Sequence, residues 1–335
     1  MNLILLLPLL LSFFVGLFLI PFWIRKAKEI GLVWEDMNKP EHPKNVAGSG
    51  GIGVFLAFII GTLTYIALKT FYFKSSDDII EIFASLSVIS IIAFIGLLDD
   101  LFGWRKGGLS KKSRLILLLF SSIPLVVINA GESSLFGINL GLIYPMIIIP
   151  LGIVGASSTF NFLAGYNGLE SSQGILILSA LSGITYLMGE KWLSIIGLCM
   201  VISLIPFYLF NKNPAKVFPG NILTYSVGAL IASIAILGNL EKIAIFFFIP
   251  YIMETILKSR GKLIKHSFAK VNPDGSLDMP YDKIYGVEHL AIYILKKIKP
   301  NKKVYETEVV LLINGFQISI IILGFLLFGR GLIIL

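Results

Sequence analysis

The feature that most limits this chain is a series of apolar runs, each about 17 to 25 residues long, separated by polar connections. An α-helix rises about 1.5 Å per residue, so runs of this length match a hydrocarbon layer about 30 Å thick. Ten can be read, over 2–24, 51–73, 80–98, 114–130, 141–159, 173–189, 192–210, 222–238, 240–257 and 306–328. Charged residues make up 14% of the chain and hydrophobic ones 56%, whereas soluble domains carry about 25% charged residues. A water-soluble fold of this composition would expose too much apolar surface. The expected fold class is therefore an all-α integral membrane protein, one polytopic domain over 1–335 with about ten transmembrane helices. Asn2–Ile24 has no basic residue before it and Arg25, Lys26 and Lys28 after it. A cleaved signal peptide has the opposite polarity, so this helix is expected to be retained. Pro145 and Pro150 predict a kink in the fifth span, and the single cysteine, Cys199, excludes an internal disulfide.

Charge sets the expected orientation. The odd-numbered connections carry 23 of the Lys and Arg residues and the even-numbered side five. Basic residues collect on the cytoplasmic side, which places the long odd loops there and both termini outside. The net charge of +8 is then a property of the inner face. It serves topology and attraction to anionic lipid, or a phosphate site, or both. A multi-pass protein of the cell membrane with its site on the cytoplasmic face is expected, with the lipid bilayer as one partner and no nucleic acid.

The inner loops hold nearly all the unusual residues. Asp99 and Asp100 end the third span in "GLLDDLFGWRKGGLSKKSR". They are either a solvated helix end or, with the basic cluster that includes Lys111 and Lys112, groups that hold a hard cation and phosphate together. The third inner loop, "NFLAGYNGLESSQG", offers Asn161, Asn167, Glu170 and Gln173 as oxygen donors. Gly165 and Gly168 there permit close backbone approach. The alternative is a polar loop with Ser171 or Ser172 as the N-cap of the next helix. "NKNPAKVFPGN" places Gly220 and Asn221 at a helix start, as ordinary caps or as an anion nest.

The first loop contains a literal GxGxxG at Gly48, Gly50 and Gly53, but no strand–helix unit precedes it, so close helix packing or a flexible lid is the better reading. Asp36, Asn38, Lys39 and Lys44 are its polar candidates. The fifth loop, 258–305, holds "SRGKLIKHS", a turn at "NPDG" and the amphipathic "VEHLAIYILKKIK", expected to lie on the membrane surface. Arg260, Lys262, Lys265 and His266 form a basic cluster suited to a diphosphate, or simply decorate the inner face. His42 and His289 have no zinc-ligand spacing around them.

"GLLDD", "NFLAGYNGLE", "PAKVFPGN" and "DGSLDMPYDK" taken together resemble the polyprenyl-phosphate N-acetylhexosamine-1-phosphate transferase superfamily, the glycosyltransferase 4 family. The branch they are most similar to is that of the eukaryotic and archaeal UDP-GlcNAc:dolichyl-phosphate enzymes. The resemblance implies a ten-helix fold, Mg²⁺ with Mn²⁺ as a substitute, UDP-GlcNAc, a polyprenyl or dolichyl phosphate, and a homodimer as the assembly it allows. It implies Asn161 and Asn221 as metal ligands, with Asp99, Asp100, Lys111 and Lys112 as catalytic groups. Asn167, Gly168 and Glu170 fall near the uridine, and Asp36, Asn38, Lys39, Lys44, Arg260, Lys262, Lys265 and His266 near substrate. The family generally carries Asp where Asn221 stands, so one ligand here is an uncharged amide.

The function so implied is transfer of GlcNAc-1-phosphate from UDP-GlcNAc to the lipid phosphate, with UMP released, as the first step of lipid-linked glycan assembly for N-glycosylation. The rivals are a bacterial-type undecaprenyl-phosphate transferase using another UDP-sugar, and a transporter. Transporters place ionisable groups at mid-membrane, and these spans are almost free of charge.

Overall fold

The computed structural model describes residues 3–135 and 137–332, without the side chains of Lys106 and residues 329–332. Helices α1 (Leu6–Glu29), α2 (Gly51–Ala67) and α3 (Ile79–Lys106) come first, then α4 (Lys111–Ser121), α5 (Ile123–Val127) and α6 (Ile149–Phe160). They are followed by α7 (Leu169–Leu187), α8 (Lys191–Asn211), α9 (Gly220–Leu237), α10 (Glu241–Phe247), α11 (Ile249–Arg260), α12 (Val287–Ile298) and α13 (Glu306–Leu332). Among the described residues, six helical stretches are long and apolar enough to cross a membrane: Leu3–Glu29, Gly51–Tyr72, Ile79–Arg105, Lys191–Asn211, Gly220–Leu237 and Glu306–Phe328. The other four expected spans are shorter, broken or more polar. The fourth divides into α4 and α5 around Ser122, and the ninth into α10 and α11 at Phe248. The expected irregularity in the fifth is present, as a π-turn over Tyr144–Ile148 that leads into α6 with Pro150 in its first turn. The sixth is α7, whose N-terminal part carries Glu170 and Gln173.

The outer surface is apolar: Phe18, Phe94, Leu151, Ile256 and Leu326 are all more than half exposed. That surface suits lipid and would be a liability in water. The centre is α9, where every residue from Ile222 to Ile236 is buried. A helix apolar on all sides belongs inside a bundle, and α2, α3, α6, α7 and α8 pack around this one. Small residues let the neighbours close in. A Cβ on Gly228 would meet the Ala156 carbonyl at 2.5 Å, and one on Gly96 would meet the Asn221 carbonyl at 2.7 Å. The close approach at Gly96 brings the end of α3 against the start of α9.

The polar connections carry three short antiparallel hairpins: β1 (Val33–Glu35) with β2 (Lys44–Ala47), β3 (Ser134–Leu135) with β4 (Ile138–Asn139), and β5 (Lys270–Val271) with β6 (Leu277–Asp278). Ala47 also pairs with Val217, which ties the first loop to the one before α9. The expected "NPDG" turn closes the β5–β6 hairpin, with Gly275 at φ +78°. The amphipathic segment is a helix as expected, α12, burying Val287, Ala291 and Ile292 and exposing Tyr293 and Ile298.

Candidate active site

The starts of α2, α7 and α9 and the ends of α3, α6 and α8 meet around one cleft of about 640 Å³. Helix starts carry a positive dipole end, so their convergence favours an anion. Asp36, Lys44, Ser49, Asp100, Asn161, Glu170, Asn211, Asn221 and Thr224 supply polar walls, and Trp34, Trp104, Tyr166, Phe218 and Phe268 supply aromatic ones.

A second cleft of about 620 Å³ adjoins it, and Asn161, Ala164 and Phe268 line both. Its basic lining is Lys111, Arg114, Lys258, Lys265 and His266. Its apolar lining includes Leu115 and Leu118 of α4 and Val154 and Gly155 of α6.

The two adjacent aspartates have different environments. Asp99 is 2% exposed and bordered by donors. Its Oδ1 accepts from the Leu109 N–H at 2.7 Å, and Arg114 bridges both oxygens, at 3.2 Å to Oδ1 and 2.9 Å to Oδ2. The Asn221 amide donates to Oδ2 at 2.9 Å. Asp100 accepts the backbone N–H groups of Asn221 at 2.7 Å and Ile222 at 3.4 Å, so it closes the start of α9 from across the bundle. Gly220, at φ +71°, makes room: a Cβ there would meet Asp100 Oδ2 at 2.2 Å.

The loop before α7 is held from three directions. Glu170 accepts the Gly165 N–H at 2.8 Å, Asn38 donates to the Gly165 carbonyl at 3.0 Å, and Asn38 Oδ1 accepts from the Ala269 N–H at 3.1 Å. Asn167 donates its amide to Asp36 at 2.9 Å and its backbone N–H to Glu306 at 2.8 Å, and Lys39 pairs with Glu306. Burial first, and then the charge of Glu306, push the Glu170 carboxyl up to about 7.

Of the sequence candidates, Asp36, Lys44, Asp100, Asn161, Glu170 and Asn221 line the first cleft, and Lys111, Lys265 and His266 the second. Asp99 lies behind the first, bonded to Asn221. Asn38, Lys39, Asn167 and Gly168 form the scaffold behind the wall. Lys112, Arg260 and Lys262 border neither cleft, and the Arg260 guanidinium sits 5.9 Å from the Tyr285 ring. The expected caps move as well. Gly168, at φ +86°, stands at the N-cap of α7, and Ser171 and Ser172 lie inside its first turn bonding Asn211 and Asn314. The glycines of the first loop do pack closely, since a Cβ on Gly53 would meet Ile20 at 2.9 Å.

Sequence reading missed Arg114, Lys258, Thr224 and the aromatic walls. Lys258 did leave a trace, four residues after Glu254 at the end of an apolar run. Among the described residues no three His, Cys, Asp or Glu side chains converge as a metal cage. The cleft offers oxygen donors instead: the Asp100 carboxylate and the Asn161 and Asn221 amides, with Thr224 donating to Asn161 Oδ1 at 2.8 Å. Few protein oxygens with room for phosphate oxygens and water is how Mg²⁺ is generally bound, so the residues fit that ion.

The model of the family described as "Glycosyl transferase family 4" matches residues 82–239. A Saccharolobus solfataricus protein assigned as a UDP-N-acetylglucosamine–dolichyl-phosphate N-acetylglucosaminephosphotransferase is 39% identical over 279 residues, 81% of this chain and 83% of that one. A Sulfolobus acidocaldarius protein assigned the same name is 32% identical over 95% of this chain and 94% of its own. A Streptococcus pyogenes phospho-N-acetylmuramoyl-pentapeptide-transferase is 28% identical over 73% of this chain and 76% of its own. The bundle, the paired clefts and these similarities together make the chain a member of glycosyl transferase family 4, the polyprenyl-phosphate sugar-phosphate transferases.

Proposed function

We propose that the protein transfers GlcNAc-1-phosphate from UDP-GlcNAc to a polyprenyl phosphate of the dolichyl type, giving polyprenyl-diphosphate-GlcNAc and UMP. The observation that carries this reading is the meeting of two unlike clefts at Asn161. One is a polar and aromatic recess rimmed by helix starts, suited to a nucleotide and its diphosphate. The other combines basic side chains with an apolar wall on α4 and α6, suited to a phosphate carrying a hydrocarbon tail. The names assigned to the two archaeal relatives point the same way.

The reaction is an attack by a lipid phosphate oxygen on the β-phosphorus of UDP-GlcNAc. A new P–O bond forms, the bond to the bridging oxygen breaks, and UMP leaves with the electron pair. The acceptor phosphate is ionised at neutral pH, so no strong base is required. Positioning and charge neutralisation carry the catalysis. Asp100 faces the cleft and orients; Asp99 fixes Arg114 and Asn221. Lys111, Arg114, Lys265 and His266 offset the charge of the acceptor phosphate. Mg²⁺, or Mn²⁺ in its place, would be held by Asp100, Asn161 and Asn221 together with diphosphate oxygens, and would supply neutralisation of the transferring group.

The same reading places the site on the cytoplasmic face, with ten spans and both termini outside. It is supported by the alternation of helix starts and ends at the site and by the basic residues gathered around it. A second reading, a bacterial-type acceptor with another UDP-sugar, is favoured by the similarity to the streptococcal enzyme. UMP release by purified protein given UDP-GlcNAc, Mg²⁺ and either dolichyl or undecaprenyl phosphate separates the two. Lipid-dependent release that Asn161→Ala abolishes is expected, and folded protein that releases no UMP with any polyprenyl phosphate or UDP-sugar would overturn the assignment.

A further inference from the structure

A lysine in the last turn of an apolar helix normally reaches for water. Lys258 does not: its side chain is 16% exposed and held on two sides. Glu254 lies one turn earlier on the same face of α11, and its Oε1 stands 3.2 Å from the Lys258 ammonium. The ammonium also donates to the Phe162 carbonyl, just past the end of α6, and lies 5.6 Å from the Phe162 ring. Lys258 therefore lines the second cleft as a fixed charge, together with Lys111, Arg114, Lys265 and His266.

The support behind it is unusual. Glu254 is fully buried, and its Oε2 accepts the Val287 N–H at 2.5 Å, in the first turn of α12. Glu288 is fully buried against it, and neither Glu288 oxygen is met by an N–H or hydroxyl donor. Desolvation, then the charge of Glu254, hold the Glu288 carboxyl well above the ordinary range. Glu254 thus joins the Lys258 ammonium, through Oε1, to the start of α12, through Oε2. A buried acid used only to join α11 to α12 would not need a lysine turned toward a cleft.

We propose that Lys258 is a ligand of the phosphate on the polyprenyl acceptor, with Glu254 as its positioning residue; the identity of that acceptor rests on the function proposed above. The second cleft then has two purposes. Lys258 seats the phosphate, and the apolar wall of Leu115, Leu118 and Val154 takes the first isoprene units.

The test uses the full chain in detergent, with Lys258→Met, Lys258→Arg and Glu254→Gln. UMP release gives separate KM values for the lipid phosphate and for UDP-GlcNAc. Loss of one charge-assisted hydrogen bond should raise the KM for lipid phosphate roughly 10- to 100-fold in Lys258→Met, with the KM for UDP-GlcNAc within about twofold. Lys258→Arg should recover most of the loss, and Glu254→Gln should raise the same KM by several-fold. If both KM values move together, or neither moves, Lys258 is only structural and the proposal fails.

A second arm needs no turnover: the shift in thermal stability on adding polyprenyl phosphate, compared with the uncharged polyprenol. Wild type should respond to the phosphate alone, and Lys258→Met should need roughly 10- to 100-fold more phosphate for the same shift. Equal responses in wild type and variant would overturn the proposal even in a protein that releases no UMP. If Lys258→Met does not fold, Glu254→Gln and Lys258→Arg decide by the same two readouts.

Discussion

The side-chain amide of Asn221 donates a 2.9 Å hydrogen bond to Asp99, while its backbone N–H donates at 2.7 Å to Asp100. One residue at the start of α9 therefore holds both members of the aspartate pair. An aspartate at this position would set a third carboxylate against the other two and remove a donor. The amide keeps the cluster satisfied without a cation, at the expense of one negative charge for binding it.

Asn221→Asp should consequently make folding depend on divalent cations. With chelator, the variant loses the amide–carboxylate hydrogen bond to Asp99 and gains repulsion, a cost of about 1–3 kcal/mol. Its melting temperature should fall by several degrees and recover when Mg²⁺ is added. Thermal unfolding of both proteins with EDTA and with Mg²⁺ tests this, and an equal response to Mg²⁺ in both would refute it.

Gly220→Ala should be more damaging than its size suggests. The new methyl would occupy the space of Asp100 Oδ2, at a backbone φ of +71° that an L side chain rarely adopts. Displacing Asp100 uncovers the start of α9, so activity should drop by more than about tenfold even where protein yield is kept. Near-normal turnover by folded Gly220→Ala would show that Asp100 need not sit there.

Lys111 and Lys112 are neighbours in sequence, but only Lys111 lines a cleft. Lys111→Ala should raise the KM for lipid phosphate by about 3- to 30-fold, and Lys112→Ala should change it less than twofold. Kinetics of the two variants side by side check the placement of α4, and the reverse ranking would mean the helix is turned.

Glu170 gives a pH dependence whose sign is fixed by burial. An unfolded glutamate titrates near 4.5 and the folded one near 7. Between these values the folded protein keeps a proton that the unfolded chain has lost. The contribution is present in full below about pH 4.5, declines as pH rises and is gone above about 7, a total of about 3 kcal/mol. Glu170→Gln should flatten this part of the profile. Melting temperatures from pH 4.5 to 8 measure it, and an unchanged slope in the variant would assign the dependence to another group.

The sequence by itself determined the membrane class and which connections carry the unusual residues. Hydrophobic length and Lys/Arg placement are one-dimensional properties, and a bilayer reads them directly. The same patterning announced α12 and the irregular fifth span, and it brought Asp100, Asn161, Glu170 and Asn221 forward as candidates that the fold then gathers in one cleft. It could not separate Asp99 from Asp100. Adjacent residues on a helix point about 100° apart, and only the approach of α9 across Gly96 decides which carboxylate faces the cleft.

Tertiary structure likewise decided that Asn38, Lys39 and Asn167 hold the wall from behind, because their partners Ala269 and Glu306 lie more than a hundred residues away. The same is true of Lys258. Its spacing from Glu254 is legible in sequence, but its role depends on the Phe162 carbonyl, the buried Glu288 and a cleft that exists only once α4, α6 and α11 have packed together.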